Sequence, residues 1–463
     1  MKGHVIFLRN VLRSKANCKE GFIMLNNSYA NRLKESEGQC ISSTRFGNIP
    51  MFWKSACGCE VIGDSGEKYL DCTSSYGVMG IGYANPKMIC EINKQVKLIN
   101  HTMCEIYPHE PYLLALENIK TTLNREHDQV IMTVTGSDAI DVALKLAYRY
   151  TGKRGVIAFE GAFHGQTLSA LSVSGQNAFR KPFAPIISAN TTFVPFPNLY
   201  RNEFESEEKL LENCISKIKN ILSNSENVEF SIGAIVVEPM QNAAGYIIPP
   251  TGFLREIRNI CNEYKIIMIV DEIFTGFGRC GKWLMSDYED VKADIVCVGK
   301  VMTSGFPAAA CLASKEIMES LDYSGLVPLH GSTFTGQAIS CAAINSTINI
   351  LKEDDLIEKS YKNGVYLREQ LNCIFKNNPF IGDIRGKGSA TLLEFVSNRD
   401  TKVRDSSKAQ SFFSHLLENK IISLVSGLPY CNCVSLCIPF VMSQTQLDYL
   451  LEICLKFNEQ YQI

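Results

Sequence analysis

The chain has 463 residues, 46% of them hydrophobic and 20% charged, with a formal net charge of −2. That balance excludes a disordered chain and leaves no basic excess for a nucleic-acid or membrane-surface partner. The expected partner is a small molecule, and the length suits a large domain with a smaller one beside it.

In chain order, the first nineteen residues carry Lys2, Arg9, Arg13, Lys15 and Lys19 and no acid. An organelle transit peptide has that composition, but the apolar run Val5 to Leu8 is short, so a surface arm on a cytoplasmic protein is the expectation. No apolar stretch approaches the ~20 residues of a membrane-spanning helix. The middle of the chain alternates β-branched runs with helical patterns, as α/β folds do. The runs are QVIMTVT (129–135), GVIAFE (155–160), GAIVVE (233–238), KIIMIVDE (265–272) and ADIVCVG (293–299). Each is continuously apolar, which predicts strands covered on both faces. Over 138–150, residues Ala139, Val142, Ala143, Leu146, Ala147 and Tyr150 fall on one helical face. Acidic, Lys-rich stretches at 203–223 and 352–377 read as outer helices. From about 346 a helical pattern, then 382–395, then a helix near 444–458 predict a separate α+β domain. The expected division is 1–74, a segment joining the small domain, 75–345, the large domain, and 346–463, the small domain.

The 18 cysteines lie mostly in apolar runs, where a thiol packs as a small hydrophobe, and reduced thiols are expected. Cys57 with Cys59, and Cys431 with Cys433, are spaced by one residue. That does not fit a structural zinc site, so no metal is expected.

Two places carry chemistry. A buried strand pattern ends in Asp271-Glu272, and another ends in Gly299-Lys300. Ligands of open α/β sheets bind beyond the carboxyl ends of the strands. A lysine there can form an imine with an aldehyde cofactor, and a buried aspartate can keep a pyridine nitrogen protonated. A structural Asp–Lys ion pair explains the same two residues. Between the strand 129–135 and the next helix lies Thr135-Gly136-Ser137-Asp138, a phosphate site at a helix N-terminus, or simply an Asp138 cap. Gly276, Gly278 and Gly281 match the dinucleotide GxGxxG pattern, but no suitable helix follows and the stretch reads as a loop.

Six motifs in order resemble the class III pyridoxal-phosphate aminotransferases, the ornithine, acetylornithine and 4-aminobutyrate group. They are TGSDAIDVALKLA (135–147), FEGAFHGQT (159–167), VVEPMQNAAG (236–245), IVDEIFTGFGRCGKW (269–283), ADIVCVGK (293–300) and HGSTFTGQ (330–337). The resemblance implies a type I fold, with a mixed seven-stranded sheet in the large domain and a small domain formed by both chain ends. It also implies pyridoxal 5'-phosphate as cofactor and a homodimer with shared sites. Carried over by position, Lys300 is the Schiff-base lysine and proton shuttle, and Asp271 pairs with the pyridinium nitrogen. Gly136 and Ser137 bind the phosphate, Phe163 stacks on the ring, Glu238 lies near Asp271, and Thr333 reaches the phosphate of the neighbouring subunit.

The departures concern substrate binding. The arginine of the family's FHGRT-like motif is Gln166 here, and the arginine ahead of a C-terminal PPL-like turn falls on Ser435. The glutamate that pairs with the second falls on Ala243, and the glutamine near the ring hydroxyl on Phe274. Without both arginines a dicarboxylate is held poorly unless Arg279, Arg385 or Lys387 substitutes. The expected enzyme moves an amino group from a small amine or amino acid to an oxo acid by a ping-pong route, without standard dicarboxylate specificity. The alternative is a racemase, epimerase or aminomutase on the same fold.

Overall fold

The computed structural model describes residues 51–125, 128–188, 190–225, 231–321 and 329–460. The basic N-terminal arm lies outside them. The chain divides into two compact units. The described part of the smaller one, residues 51–56 and Val61–Tyr69, consists of short strand segments and a turn. The larger unit, Cys57–Glu60 and residues 70 onward, holds everything considered below.

Its centre is a seven-stranded sheet. In chain order the strands are β1 (Asp128–Thr133), β2 (Gly155–Phe159), β3 (Thr191–Val194), β4 (Ile232–Val237), β5 (Ile267–Asp271), β6 (Ile295–Val298) and β7 (Ala309–Ser314). Their spatial order is β1-β7-β6-β5-β4-β2-β3. β7 runs antiparallel to both its neighbours, and the pairs from β6 across to β3 are parallel. Every residue of β4, β5 and β6 is buried, as their unbroken apolar sequences require when both faces are covered. One face packs on the helix Gly136–Thr151 through Ala139, Val142, Ala143 and Leu146. The other carries a second apolar layer that includes Ile235, Met268, Val296 and Leu312.

The first helix after β1 begins where the glycine signal placed it, but its cap differs from the expectation. Thr135, not Asp138, is the N-cap, and its hydroxyl accepts from the Asp138 N–H at 3.2 Å. Asp138 instead accepts from the Val134 N–H at 3.3 Å. The single helix expected over 352–377 is Leu356–Ile374, set off from Ala338–Glu353 by a left-handed residue at Asp355 (φ 49°).

After these helices come β8 (Ile381–Lys387), β9 (Ala390–Phe395), β10 (Leu424–Ser426) and β11 (Cys433–Cys437), a second sheet in the order β8-β9-β11-β10. It has its own apolar cluster around Leu393, Phe395, Phe412, Val434 and Phe457. Leu70 and Asp71 pair in parallel with Ile421 and Ile422, so residues just after the smaller unit are stitched into the C-terminal part. No helix among the described residues is long and apolar enough to cross a membrane.

Candidate functional site

Because β1, β2, β4, β5 and β6 point the same way, the residues that follow them gather along one rim of the sheet. Asp271 closes β5, Glu238 follows β4, Lys300 follows β6, and the Gly136–Thr151 helix starts after β1. Cys297 of β6 is the register partner of Asp271, which brings the two strand ends side by side.

Asp271 is buried and held at both oxygens. Oδ2 lies 2.8 Å from His164 Nδ1, and Oδ1 accepts from the Ile273 N–H at 3.0 Å. His164 is itself buried and follows Phe163 in the loop after β2. Burial works against its charged form, but the bond to Asp271 and that residue's charge prevail and raise its pKa above the ordinary histidine value. Glu238 accepts from the Phe163 N–H at 3.0 Å and from the Asn242 N–H at 3.2 Å. Burial pushes its carboxyl up to about 7; His164 pulls the other way and Asp271 adds to the rise. The next acid, Glu272, serves structure: it accepts from the Thr275 hydroxyl and from the N–H groups of Met285 (3.0 Å) and Ser286 (2.8 Å).

Lys300 is half-buried and its backbone is left-handed (φ 47°), a strained conformation for a non-glycine residue and one that clusters at functional sites. Its Nζ sits 4.8 Å from the centre of the Phe274 ring. Burial lowers its pKa below the ordinary lysine value, while the charges of Asp271 and Glu238 draw it back. At the helix start, Gly136 and Ser137 occupy the first turn, whose N–H groups have no acceptor within the helix. The Ser137 hydroxyl accepts from the Gln166 N–H at 3.3 Å. Gly165 packs on Ser137 so closely, at φ 135°, that a Cβ there would sit 2.2 Å from the hydroxyl.

Thus Lys300, Asp271, Glu238, Phe163, Gly136 and Ser137 come to one rim. Thr333 does not join them: it lies on an exposed turn ahead of the helix Ala338–Glu353. An amine, a buried carboxylate and a helix N-terminus on one rim suit an aldehyde-bearing pyridine with a phosphate arm, and the residues present fit that group. The GxGxxG stretch is a turn-rich loop whose Phe277 and Arg279 are fully buried. Among the described residues no three His, Cys, Asp or Glu side chains come together to hold a metal ion.

Two side chains at the rim escaped sequence reading. His164 stands next to Phe163 in a motif quoted for its neighbour, and its partner lies 107 positions away. Tyr246 is buried against Phe274, ring centres 5.4 Å apart, and nothing in the NAAGY stretch marks it.

The fold and rim define a pyridoxal-phosphate enzyme of the aminotransferase kind. Residues 41–457 match the family described as aminotransferase class-III, and the chain belongs to that family. It is a pyridoxal-phosphate-dependent aminotransferase. An alanine/serine racemase of Pyrococcus horikoshii is 30% identical over 75% of this chain and 73% of its own. The 5-aminovalerate aminotransferase DavT of Pseudomonas putida is 29% identical over 86% and 91%, and the 4-aminobutyrate aminotransferase GabT of Escherichia coli 28% over 87% and 92%. Among solved structures, a Bacillus anthracis aminotransferase superposes with a TM-score of 0.86 at 25% identity, covering 95% of this chain and all of its own. The omega transaminase from Pseudomonas jessenii in complex with PMP superposes with a TM-score of 0.85 at 23% identity, over 93% and 98%.

Proposed function

We propose that this enzyme passes an amino group from a small amine or amino acid to an oxo acid in two half-reactions, without the dicarboxylate specificity of glutamate-using relatives. The observation that carries the reading is that a half-buried amine, Lys300, and a buried carboxylate, Asp271, stand at adjoining strand ends. Pyridoxal phosphate, when bound, supplies an electron sink for the charge left on a carbon that loses its proton.

The chain's own residues do the rest. Lys300 takes and returns that proton at Nζ; its lowered pKa enlarges the free-base fraction near neutral pH. Asp271, fixed by His164 and the Ile273 N–H, would pair with the ring nitrogen of the bound cofactor. Gly136 and Ser137 would hold the phosphate through N–H and hydroxyl groups, and Phe163 would lie against the ring. Glu238 holds the Phe163 loop through its N–H. Thr333 serves the phosphate site of a second copy.

A homodimer is supported by the exposed apolar side chains Leu98, Met103, Ile106, Tyr107 and Phe334, which a monomer would leave in water. The ring of His101, from the same stretch, lies 5.5 Å from that of Phe334. We further assign 1–74 and 346–463 to a small domain, 75–345 to the cofactor domain, and the protein to the cytoplasm. The strand pairing of residues 70–71 with 421–422 supports the first of these.

Steady-state kinetics with a panel of amines against pyruvate and 2-oxoglutarate test the reading. Efficient turnover of glutamate with pyruvate, or of an amine with 2-oxoglutarate, would refute the specificity, and no amination of the cofactor by any donor would refute the transfer. The racemase relative favours a second reading, chirality inversion; loss of optical activity from alanine with no oxo acid present would establish it.

A further inference from the structure

Opposite the rim, a cavity of about 340 Å³ opens where β2, β3 and β4 begin, beside Gly155, Thr191 and Gly233. Small-molecule sites run from roughly 300 to 1,000 Å³, so the hollow is large enough to hold a ligand. Its walls come from the last turns of the helix Gly136–Thr151 and from the short helix Leu168–Val173. Gly233 lets the turn after the longer helix press on β4. A Cβ there would sit 2.6 Å from Thr151 Oγ1 and 2.8 Å from the Lys153 carbonyl.

The charge of this cavity is one-sided. Lys153, half-buried, and Arg154, exposed, both line it, and among the described residues no aspartate or glutamate does. Among those residues neither cation engages its side chain in a hydrogen bond or an ion pair. Cations that follow a helix commonly bond its last carbonyls. Here those carbonyls are taken: the Gly152 N–H donates to that of Tyr148 at 2.8 Å, and the Thr151 hydroxyl to that of Ala147 at 2.7 Å. Both charges therefore stay free at the cavity. The rest of the wall is largely apolar, with Leu144, Ala147 and Val173 in it and the exposed side chains of Tyr148 and Leu168 beside them.

A second hollow, of about 410 Å³, shows the contrast. Its cations Arg125 and Lys292 share the lining with Asp128 and Asp294. Arg125 pairs with Asp128, and Arg258 pairs with Asp294 at 2.7 Å. Charge there is met from within the chain and calls for no ligand.

We propose that the cavity at Lys153 and Arg154 is a second ligand site, one that takes a phosphate monoester of an apolar body. Two adjacent cations match the near-double negative charge of a phosphate monoester at neutral pH. The apolar wall matches the group that carries it. The site is separate from the cofactor's phosphate site at Gly136 and Ser137. The two lie toward opposite ends of one helix of 16 residues, about 24 Å long.

Calorimetry on the holoenzyme, in which the cofactor's own phosphate site is filled, tests it with phenyl phosphate, benzoate and phenol. The expected result is saturable binding of phenyl phosphate, at least about 10-fold tighter than that of either competitor. Phenol binding as tightly means that the apolar wall acts alone, and benzoate binding as tightly removes the preference for a dianion. Either result overturns the proposal, as does the absence of saturable binding of phenyl phosphate. Lys153→Met combined with Arg154→Met keeps the apolar stems and removes both charges. That double variant is expected to bind phenyl phosphate at least about 10-fold more weakly. Unchanged affinity in the folded variant places the ligand elsewhere and overturns the proposal. If the variant does not fold, crystals of the parent soaked in phenyl phosphate decide. Phosphate density within hydrogen-bond reach of Lys153 or Arg154 supports the site, and density only at the rim, or none, overturns it.

Discussion

His164 Nδ1 and Asp271 Oδ2 lie 2.8 Å apart in a buried pair, joining the loop after β2 to the end of β5. The contact leaves Asp271 one oxygen bound to the Ile273 N–H and one bound to an imidazole, so its rotamer is determined from both sides. His164→Ala is expected to lower kcat about 10- to 100-fold with little change in KM, the usual effect of losing an orienting partner behind a functional carboxylate. In an Asp271→Ala background the same change should add almost nothing, and stopped-flow kinetics on the double variant would expose independent roles.

Lys300→Ala should abolish turnover and the absorbance of lysine-bound cofactor. The substitution truncates a half-buried side chain, so the folded state should survive it. Near-normal turnover in that variant would refute the assignment. Asp271→Ala should cost on the order of 1,000-fold in kcat, because a ring nitrogen without its anionic partner is a poorer sink.

Stability should depend on pH through Glu238. Its folded carboxyl titrates at about 7 against an ordinary 4.5, so the folded state holds the proton more tightly than the unfolded one. The Glu238 contribution is then greatest toward the acid side of that window, falls as pH rises from 4.5 to 7, and is flat above. The full swing is on the order of 3 kcal/mol. His164, whose pKa is also raised, contributes with the same sign. Denaturant unfolding of cofactor-free Glu238→Gln at pH values across the window should show a shallower decline than the parent.

Arg279→Met should destabilise the fold by about 3–5 kcal/mol, since the carbonyls of Gly77 and Ile438 lose their donor inside the protein. Thermal melting measures the loss. The preference among donors should be unchanged, because Arg279 is spent on structure.

Much of the fold was legible because burial on both faces leaves a plain mark in one dimension. IGAIVV, IMIVD and IVCV could hardly be anything but central strands, and each is wholly buried. TTFV (191–194) and AACLAS (309–314) carry no such mark. The first is short and polar at its start, and the second is rich in small residues that suit a helix equally well. The helix start at 136 was visible in Gly136 and Ser137, but its cap was not, since Thr135 and Asp138 are both competent caps and only the loop geometry chooses between them.

The sequence alone determined the chemistry of the rim: an amine at 300, a carboxylate at 271 and a glycine-led helix start at 136, each at a strand end fixed by local pattern. Only the tertiary structure decided what surrounds them. That Arg279 and Arg385 are consumed by carbonyls and acids, and that Tyr246 and His164 stand at the site, depends on contacts between residues far apart in the chain. Strand periodicity is written in neighbouring residues, whereas the partner of a buried polar group is chosen by packing, which no local pattern encodes.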